Sequence, residues 1–291
     1  MPLTPPPLAP PMLAAPWPAR PESGVLLMGI VNVTPDSFSD GGHFAAHEMA
    51  IAQGAKLAQE GAHILDIGGE STRPGATFVP AEDEQARILP VIAGLRTRLP
   101  SAVISVDTYK AETARAALDV GANIVNDVWG LQYPGAHDAD AMAQLVAQRE
   151  AGLVIMHNRL ERDERIDIVA DMERFFSNSL ARADAAGIDH TRIALDPGIG
   201  FGKTFEQNLA AIRALPQLKR IFGLPILLGV SRKGFLGLIT GRPVDQRMVA
   251  SVAVGVQGML DGADILRVHD VAAHRDAAFV IAALRRAKPE T

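Results

Sequence analysis

One repeated pattern constrains the fold of this chain more than any other feature of its sequence. From Val25 onward, a short aliphatic or β-branched run ends in polar residues, a Gly or Pro follows, and an amphipathic stretch with helical spacing comes next. Apolar strands that alternate with helices in this way are typical of a parallel sheet buried on both faces. The eight predicted strands are Val25–Thr34, His63–Gly69, Ala102–Thr108, Ile124–Val128, Gly152–His157, Ile193–Pro197, Ile226–Ser231 and Ile265–His269.

Eight strand–helix units favour a closed barrel over an open doubly wound sheet. The first strand does not open into a GxGxxG turn, which weakens the dinucleotide-binding form of the open sheet. We therefore predict an α/β fold, a (β/α)8 TIM barrel in a single domain. Predicted helices include Glu112–Val120, Ile166–Ala186 and Arg247–Leu260. Glycines suited to left-handed helix ends follow four such stretches, at Gly61, Gly121, Gly187 and Gly262.

The 291 residues exceed the roughly 250 that a barrel of this kind uses, and the surplus lies at the N-terminus. We predict the barrel over residues 24–291 and a flexible tail, disordered or polyproline-like, over residues 1–23. This tail is rich in proline, and its first positive charge is Arg20, so it does not resemble a secretory signal. Removal of residues up to Pro18 is expected to leave activity intact.

The composition argues against several classes of function. The chain has no cysteine, which rules out disulfides, thiolate metal sites and a cysteine nucleophile. The net charge of −5 does not favour binding to nucleic acid, which uses basic surfaces. No apolar run approaches the roughly 20 residues that span a membrane. We expect a cytoplasmic protein that acts on small molecules.

Polar residues stand at the end of every predicted strand. In a barrel these ends meet on one face, where active sites are found. A single Asp or Asn after a strand is often only a helix cap or a turn former. Capping does not call for Lys, Arg and His, however, so the whole set favours a binding site. Its members include Asn32, Gly68–Arg73, Asp107, Asn126, Asp127, His157, Asp196, Ser231, Lys233, Arg267 and His269.

The basic members come late in the chain, where barrels of this type usually bind phosphate. Lys233, Arg267 and His269 therefore predict a phosphorylated or diphosphorylated ligand. No His, Asp or Glu cluster has the spacing of a zinc site, so the expected metal is Mg²⁺ carried with substrate phosphates.

The acidic and amide members suit a heterocycle with adjacent N–H donors. One carboxylate can accept from both the amino group and the ring N–H of a 2-amino-4-oxopyrimidine, and an amide can donate and accept along the same edge. Asp107, Asn126 and Asp196 therefore fit a pterin or a guanine-like ring. From the residues alone, Mg²⁺ or a sugar remains an alternative for acids at a barrel mouth.

At these residues the chain resembles the dihydropteroate synthase family of pterin-binding barrels. The resemblance runs in family order from the first strand to the last and covers everything except the proline-rich tail. The two most specific segments are TPDSFSDGG and ESTRPG. The matching segments are Met28–Gly42, Asp66–Ala76, Ser105–Lys110, Asn126–Gly130, Leu195–Thr204, Gly229–Gly237 and Arg267–Val271.

The resemblance implies a reaction and a division of roles among residues. A pterin diphosphate loses pyrophosphate while the amine of 4-aminobenzoate takes its place. The pterin would be held by Asp107, Asn126, Met156, Asp196 and Lys233. The diphosphate would be held by Arg267 and His269, with Asn32 near Mg²⁺. The aminobenzoate site would be shaped by Thr72, Arg73, Pro74, Phe201 and Ser231.

The resemblance also implies a catalytic set, loop closure and an assembly. The catalytic set would be Asp107, Lys233, Arg267 and His269. The segments 34–39 and 71–75 would close over the site, and sulfonamides would compete with the aminobenzoate. The family forms homodimers through late helices, and Val249–Leu260 is apolar enough for that role. The charged segment Asn158–Arg165 departs from the family pattern, and its role is open.

Three alternatives compete with this interpretation. A methyltetrahydrofolate–corrinoid methyltransferase would use the same acids, but its substrate has no diphosphate to match Arg267 and His269. An aldolase would use Lys233 as a Schiff base. A non-catalytic pterin-binding paralogue would bind the pterin without turnover. Pyrophosphate release in the presence of 4-aminobenzoate separates the enzyme from the methyltransferase. Borohydride trapping of a sugar phosphate tests the aldolase, and calorimetry that shows pterin binding with no turnover would identify the paralogue.

Overall fold

The computed structural model describes residues 14–33, 42–71 and 77–287; for residues 42–44 it describes only the backbone. Within these ranges, strands and helices alternate, except that two helices follow β6 and two follow β7. The strands are β1 Leu26–Asn32, β2 Ile64–Gly68, β3 Val103–Asp107, β4 Ile124–Asp127, β5 Gly152–Met156, β6 Ile193–Asp196, β7 Leu227–Leu228 and β8 Ile265–Val268. The helices are α1 Gly42–Glu60, α2 Ala81–Arg98, α3 Ala111–Asp119, α4 Ala141–Gln148, α5 Ile168–Ala186, α6 Phe205–Arg213, α7 Leu215–Phe222, α8 Gly234–Thr240, α9 Met248–Leu260 and α10 Val271–Arg286.

The eight strands are parallel and close into a barrel. Their order in the sheet is β6-β5-β4-β3-β2-β1-β8-β7. The circle closes between β6 and β7, where Leu195 forms a parallel bridge with Ile226 and its N–H donates to the carbonyl of Pro225 at 2.9 Å. The predicted (β/α)8 barrel is therefore confirmed.

One strand is shorter than the sequence predicts. The predicted strand is Ile226–Ser231, but β7 covers only Leu227–Leu228. The chain then bends away from the sheet, since the N–H of Lys233 donates to the carbonyl of Val230 and Arg232 has a φ of 58°. This bend directs Lys233 back over the barrel mouth.

The predicted helix-ending glycines all have positive φ, between 81° at Gly187 and 113° at Gly121. Such values are costly for residues with a Cβ atom, so these positions stop each helix at a defined point. In the described part of the chain, no helix combines the length and apolarity needed to cross a membrane.

The barrel interior has an apolar lower half. Alternate residues of a strand point to the same side, so every second residue faces inward. The inward residues near the N-terminal ends of the strands pack into one cluster, which is Leu26, Met28, Ile64, Ile124, Val154, Ala194, Leu227 and Ile265. Two residues further along, four strands carry a polar inward residue: Asp66, Asn126, Asp196 and Arg267. The polar residues therefore lie above a layer of packed apolar side chains, which is called the barrel floor below.

Residues 14–25, which precede β1, pack against the barrel, whereas residues 1–13 of the predicted tail lie outside the described residues. Trp17 is only 5% exposed and packs into the apolar cluster at the barrel floor. Its indole N–H donates to the carbonyl of Arg192 at 2.8 Å, and the N–H of Ala14 donates to the carbonyl of Thr191 at 3.0 Å. Arg20 forms an ion pair with buried Asp264. The predicted tail is wrong for residues 14–23, because the indole adds a large apolar surface where the floor would otherwise face water.

Candidate functional site

The polar half of the barrel interior forms a connected network around Arg267. This arginine extends from β8, and its Nε donates to Asp66 Oδ2 at 2.6 Å while its Nη2 donates to Asp107 Oδ2 at 2.5 Å. Asn126 Nδ2 donates to the same oxygen of Asp66 at 3.2 Å. Three of the predicted site residues therefore share one network, and Asp66 joins them although it was not predicted.

Several acceptors in this network have no partner among the described residues. They are Asp66 Oδ1, Asp107 Oδ1 and Asn126 Oδ1, all of them buried. A buried acceptor without a donor costs free energy, and native proteins rarely leave such atoms unsatisfied. Three such oxygens on adjacent strands indicate a site for a ligand that brings its own N–H donors.

A second group of residues lines the opposite wall. Asp196 ends β6, is 5% exposed, and accepts from the N–H of Gly198 at 2.7 Å. Lys233 donates to the carbonyl of Ile199, and its Nζ lies 4.7 Å from the centroid of the Phe201 ring. This distance allows a cation–π interaction that holds the ammonium over the ring.

Gly229 marks the point where the two walls meet. A Cβ atom at this position would lie 3.8 Å from Asp196 Oδ2, 3.9 Å from Arg267 Cβ and 4.0 Å from Lys233 Nζ. These three side chains therefore lie close together over β7. Met156 ends β5 between the two groups and is buried.

Burial raises the pKa of two of the inward acids. It raises the pKa of Asp107 to about 7, although Arg267 opposes the shift. It also raises the pKa of Asp196, against the opposing charge of Lys233. Acids with raised pKa beside fixed cations, in a cavity, are typical of functional sites.

The rim of the barrel mouth holds the remaining predicted residues that the structure describes. His269 Nδ1 lies 3.0 Å from Ser231 Oγ, which also accepts from the His269 N–H at 3.2 Å. Arg232, between Ser231 and Lys233, points elsewhere and pairs with Asp270 at 3.0 Å. Asn32 ends β1 at the same face and is exposed. Thr72, Arg73, Pro74 and the segments 34–39 and 72–75 lie outside the described residues.

Two functional features were missed by the sequence reasoning. Asp66 lies two residues after inward Ile64 and two before Gly68, so strand alternation could have identified it as inward. Lys203, 2% exposed, contacts His157, and only the folded chain brings them together. In the charged segment after β5, Arg159 Nη1 donates to Asp171 Oδ2 at 2.7 Å and thereby ties that segment to α5.

Known proteins match this chain over most of its length. The family model described as pterin binding enzyme matches residues 28–269. A dihydropteroate synthase of Bacillus subtilis is 45% identical over 246 residues, which cover 84% of each chain. The chain belongs to the dihydropteroate synthase family.

Solved structures of this family have the same fold and the same extent. The Clostridium difficile dihydropteroate synthase in the presence of pteroic acid is 43% identical with a TM-score of 0.85, covering 90% of this chain and 97% of that one. The Xanthomonas albilineans enzyme with 4-aminobenzoic acid is 45% identical with a TM-score of 0.85, covering 92% and 95%. The chain is thus a transferase of this family, and these relatives disfavour the aldolase and methyltransferase alternatives.

Proposed function

We propose that this chain condenses 6-hydroxymethyl-7,8-dihydropterin diphosphate with 4-aminobenzoate, giving 7,8-dihydropteroate and pyrophosphate in folate biosynthesis. The observation that carries the assignment is the set of buried acceptors without donors beside Arg267. A pterin supplies adjacent N–H donors for the acids, and its diphosphate supplies the anion for the bases.

The pterin ring is proposed to lie between the two walls of the cavity. Asp196 accepts from the ring amino group and the adjacent N–H, as a carboxylate accepts from two arms of a guanidinium. Asn126 and Asp107 bind the other edge through their unpaired oxygens. Lys233 donates to the ring oxygen, and Met156 packs on the face of the ring. The contacts to Asp107 and Asn126 satisfy two buried oxygens that otherwise lack a donor.

The diphosphate is proposed to bind at the rim. Arg267 has five N–H donors, and its bonds to Asp66 and Asp107 use two of them, so donors remain for phosphate oxygens. His269 is held by Ser231 at 3.0 Å and faces the same anion. As the C–O bond to the pterin methylene breaks, its electron pair goes to pyrophosphate, and these groups stabilise the developing charge.

Mg²⁺ is proposed to enter with the diphosphate. The ion prefers oxygen ligands and keeps several waters, so it needs few protein atoms. No group of three His, Asp or Glu in the described ranges could hold a metal, which fits an ion carried chiefly by its substrate. The amide oxygen of Asn32 is proposed as the protein ligand that contacts the ion. The bound ion would supply further charge neutralisation to the leaving pyrophosphate.

The attacking amine needs positioning rather than a base of unusual strength. As the C–O bond breaks, positive charge develops on the pterin methylene, and ionised Asp107 stabilises it electrostatically. The amine nitrogen then bonds to the methylene carbon and releases one proton. Thr72, Arg73, Pro74, Phe201 and Ser231 are proposed to orient the aminobenzoate, so sulfonamides of the same shape should compete with it.

A direct assay tests this function. Pyrophosphate release is measured from the pterin diphosphate with and without 4-aminobenzoate, and the product is identified by mass spectrometry. We expect release that depends on the amine, a product with the mass of dihydropteroate, and competition by a sulfonamide. Tight pterin binding without such release would instead support the non-catalytic paralogue.

We further propose that the protein is a homodimer located in the cytoplasm. Neighbouring helices α8, α9 and α10 expose large apolar side chains, and Leu238, Val249 and Leu284 are 74%, 74% and 66% exposed. Exposed large apolar side chains on neighbouring helices are typical of an interface. A second copy presenting the same face would bury it symmetrically. The absence of cysteine agrees with a reducing compartment.

A further inference from the structure

The loop between β6 and α6 folds around one of its own side chains. Three glycines with positive φ, Gly198, Gly200 and Gly202, turn the backbone at 66°, 87° and 54°. This path points the carbonyls of Gly198 and Phe201 inward, where Lys203 Nζ donates to them at 2.9 Å and 3.2 Å. Lys203 is 2% exposed, so its ammonium exchanges water for these acceptors.

His157 completes the surroundings of this ammonium. Lys203 Nζ lies 2.7 Å from His157 Nδ1, and His157 Nε2 lies 3.1 Å from Asp171 Oδ2. Burial lowers the pKa of Lys203 to about 7, and in its protonated form the amine can only donate; Nδ1 then accepts, and the ring proton sits on Nε2, facing Asp171. Burial lowers the pKa of His157 to about 4, in agreement with a neutral ring. The loop is thereby joined to β5 and α5.

The loop backbone packs closely against the segment that follows β5. A Cβ atom at Gly198 would lie 1.9 Å from the carbonyl oxygen of His157, and one at Gly202 would lie 2.5 Å from Arg159 Cβ. The N–H of Gly200 also donates to Asn208 Oδ1 at 2.5 Å, which ties the loop to α6. The loop backbone therefore contacts the segment after β5 at Gly198 and Gly202, and it contacts α6 at Gly200.

The same loop supplies the immediate surroundings of Lys233. The carbonyl of Ile199 accepts from Lys233, and the Phe201 ring lies 4.7 Å from its Nζ. A Cβ atom at Gly200 would lie 3.4 Å from Lys233 Cδ, so the lysine stem runs along this backbone. Lys203 itself is committed to acceptors within the chain and does not reach the cavity as a donor.

We propose that Lys203, held by His157, is a positioning residue that fixes the Gly198–Lys203 loop and thereby places Lys233 and Phe201 for the pterin substrate. This inference rests on the proposed function. Loss of Lys203 removes the donor that holds the two inward carbonyls, the loop relaxes, and Lys233 loses both its carbonyl partner and its ring.

A double-mutant cycle tests the proposal. Affinity for 6-hydroxymethylpterin is measured by calorimetry for the wild type, Lys203→Met, Lys233→Ala and the double variant. We expect Lys203→Met to weaken pterin binding about tenfold or more relative to the wild type. In the Lys233→Ala background, the same substitution should weaken binding less than about twofold further. The proposal would be overturned if the losses of binding free energy in the two single variants add up to the loss in the double variant. It would also be overturned if Lys203→Met binds the pterin within about twofold of the wild type.

Controls separate positioning from general stability and from failure of the proposed function. Lys219→Met is the matched variant, because Lys219 is another lysine whose ammonium is held within the chain, in its case by buried Asp264 at the barrel floor. It should lower thermal stability and leave pterin affinity unchanged. A wild type that binds no pterin would refute the proposed function and this inference together, whereas normal wild-type binding with additive variants refutes the inference alone.

Two further measurements test the proposal if the Lys203→Met variant does not fold. His157→Gln removes the Nδ1 acceptor and replaces Lys203→Met in the same cycle, with the same expected coupling to Lys233. In the wild type, ¹⁵N NMR of His157 should show a neutral ring protonated on Nε2. A ring protonated on Nδ1 would contradict the proposed contact directly.

Discussion

At the scale of single residues, Asp196 is the acid whose removal should matter most for pterin binding. Asp196→Ala leaves the ring amino group and its neighbouring N–H without an acceptor. Hydrogen bonds to a charged group contribute about 1.5–3 kcal/mol each, so we expect pterin affinity to fall at least tenfold. Calorimetry measures the loss. Asp189→Ala, at the other end of the same β6 unit, is the control, and a loss below about threefold at Asp196 would contradict the assignment.

Asp107 should make pterin binding depend on pH near neutrality. Burial raises its pKa to about 7, so below that pH the free enzyme holds a proton on this carboxyl. The role assigned here needs the ionised form, and binding must then release the proton. We expect affinity to rise as pH increases through about 7 and to level off above it.

Calorimetry in buffers of different ionisation enthalpy counts the released proton. Asp107→Asn cannot ionise and should flatten this part of the pH profile. The effect of pH on stability through Asp107 is opposite to its effect on pterin affinity, because the folded state binds this proton more tightly than the unfolded state. The contribution of Asp107 to stability therefore decreases as pH rises from about 4 to about 7.

At the scale of elements, helix α5 shows how local signals define each unit of the barrel. Asp167 accepts from the N–H groups of Val169 and Ala170 at 2.9 Å and 3.2 Å, and Gly187 ends the helix at a φ of 81°. Asp167→Ala should lower the free energy of unfolding by about 1 kcal/mol, with Asp167→Asn closer to wild type. Denaturant titration measures both. An equal loss in the two variants would assign the effect to charge rather than capping.

At the scale of the whole molecule, the N-terminal segment closes the barrel floor. Trp17→Ala should lower the free energy of unfolding by about 3–5 kcal/mol, since it empties a buried site at the centre of the floor. The active site lies at the opposite end, so kcat and KM at low temperature should not change. Thermal unfolding and kinetics measure the two effects. Unchanged stability would restore the expectation that the chain up to Pro18 is dispensable.

The proposed dimer is a second prediction at this scale. Val249→Glu places a charge on the exposed face of α9 and should convert a dimer to a monomer, because burying an unpaired charge at an interface costs several kcal/mol. Light scattering after size exclusion gives the mass. Glu112→Gln, which changes a charge on α3, is the control. A wild type that elutes as a monomer at micromolar concentration would contradict the proposal.

Much of the fold and part of the site are encoded in short stretches of sequence. The eight apolar runs, the glycines that end helices, and the polar residues after each strand follow from local geometry, because strand alternation and helix termination depend on near neighbours. The positions of Asp107, Asn126, Asp196 and Arg267 at one barrel mouth follow from that pattern.

Tertiary structure alone decided which of these residues touch and which atoms stay unpaired. The bond from Arg267 to Asp66 joins residues 201 positions apart, and the Lys203–His157 contact joins residues 46 apart. The position of Trp17 is likewise decided by tertiary structure. Its proline-rich surroundings in the sequence indicate a tail, but in the folded chain its side chain is buried at the barrel floor. Local sequence determines the units and the direction of their side chains. Barrel closure determines burial, and burial determines hydrogen-bond partners and the pKa of the acids.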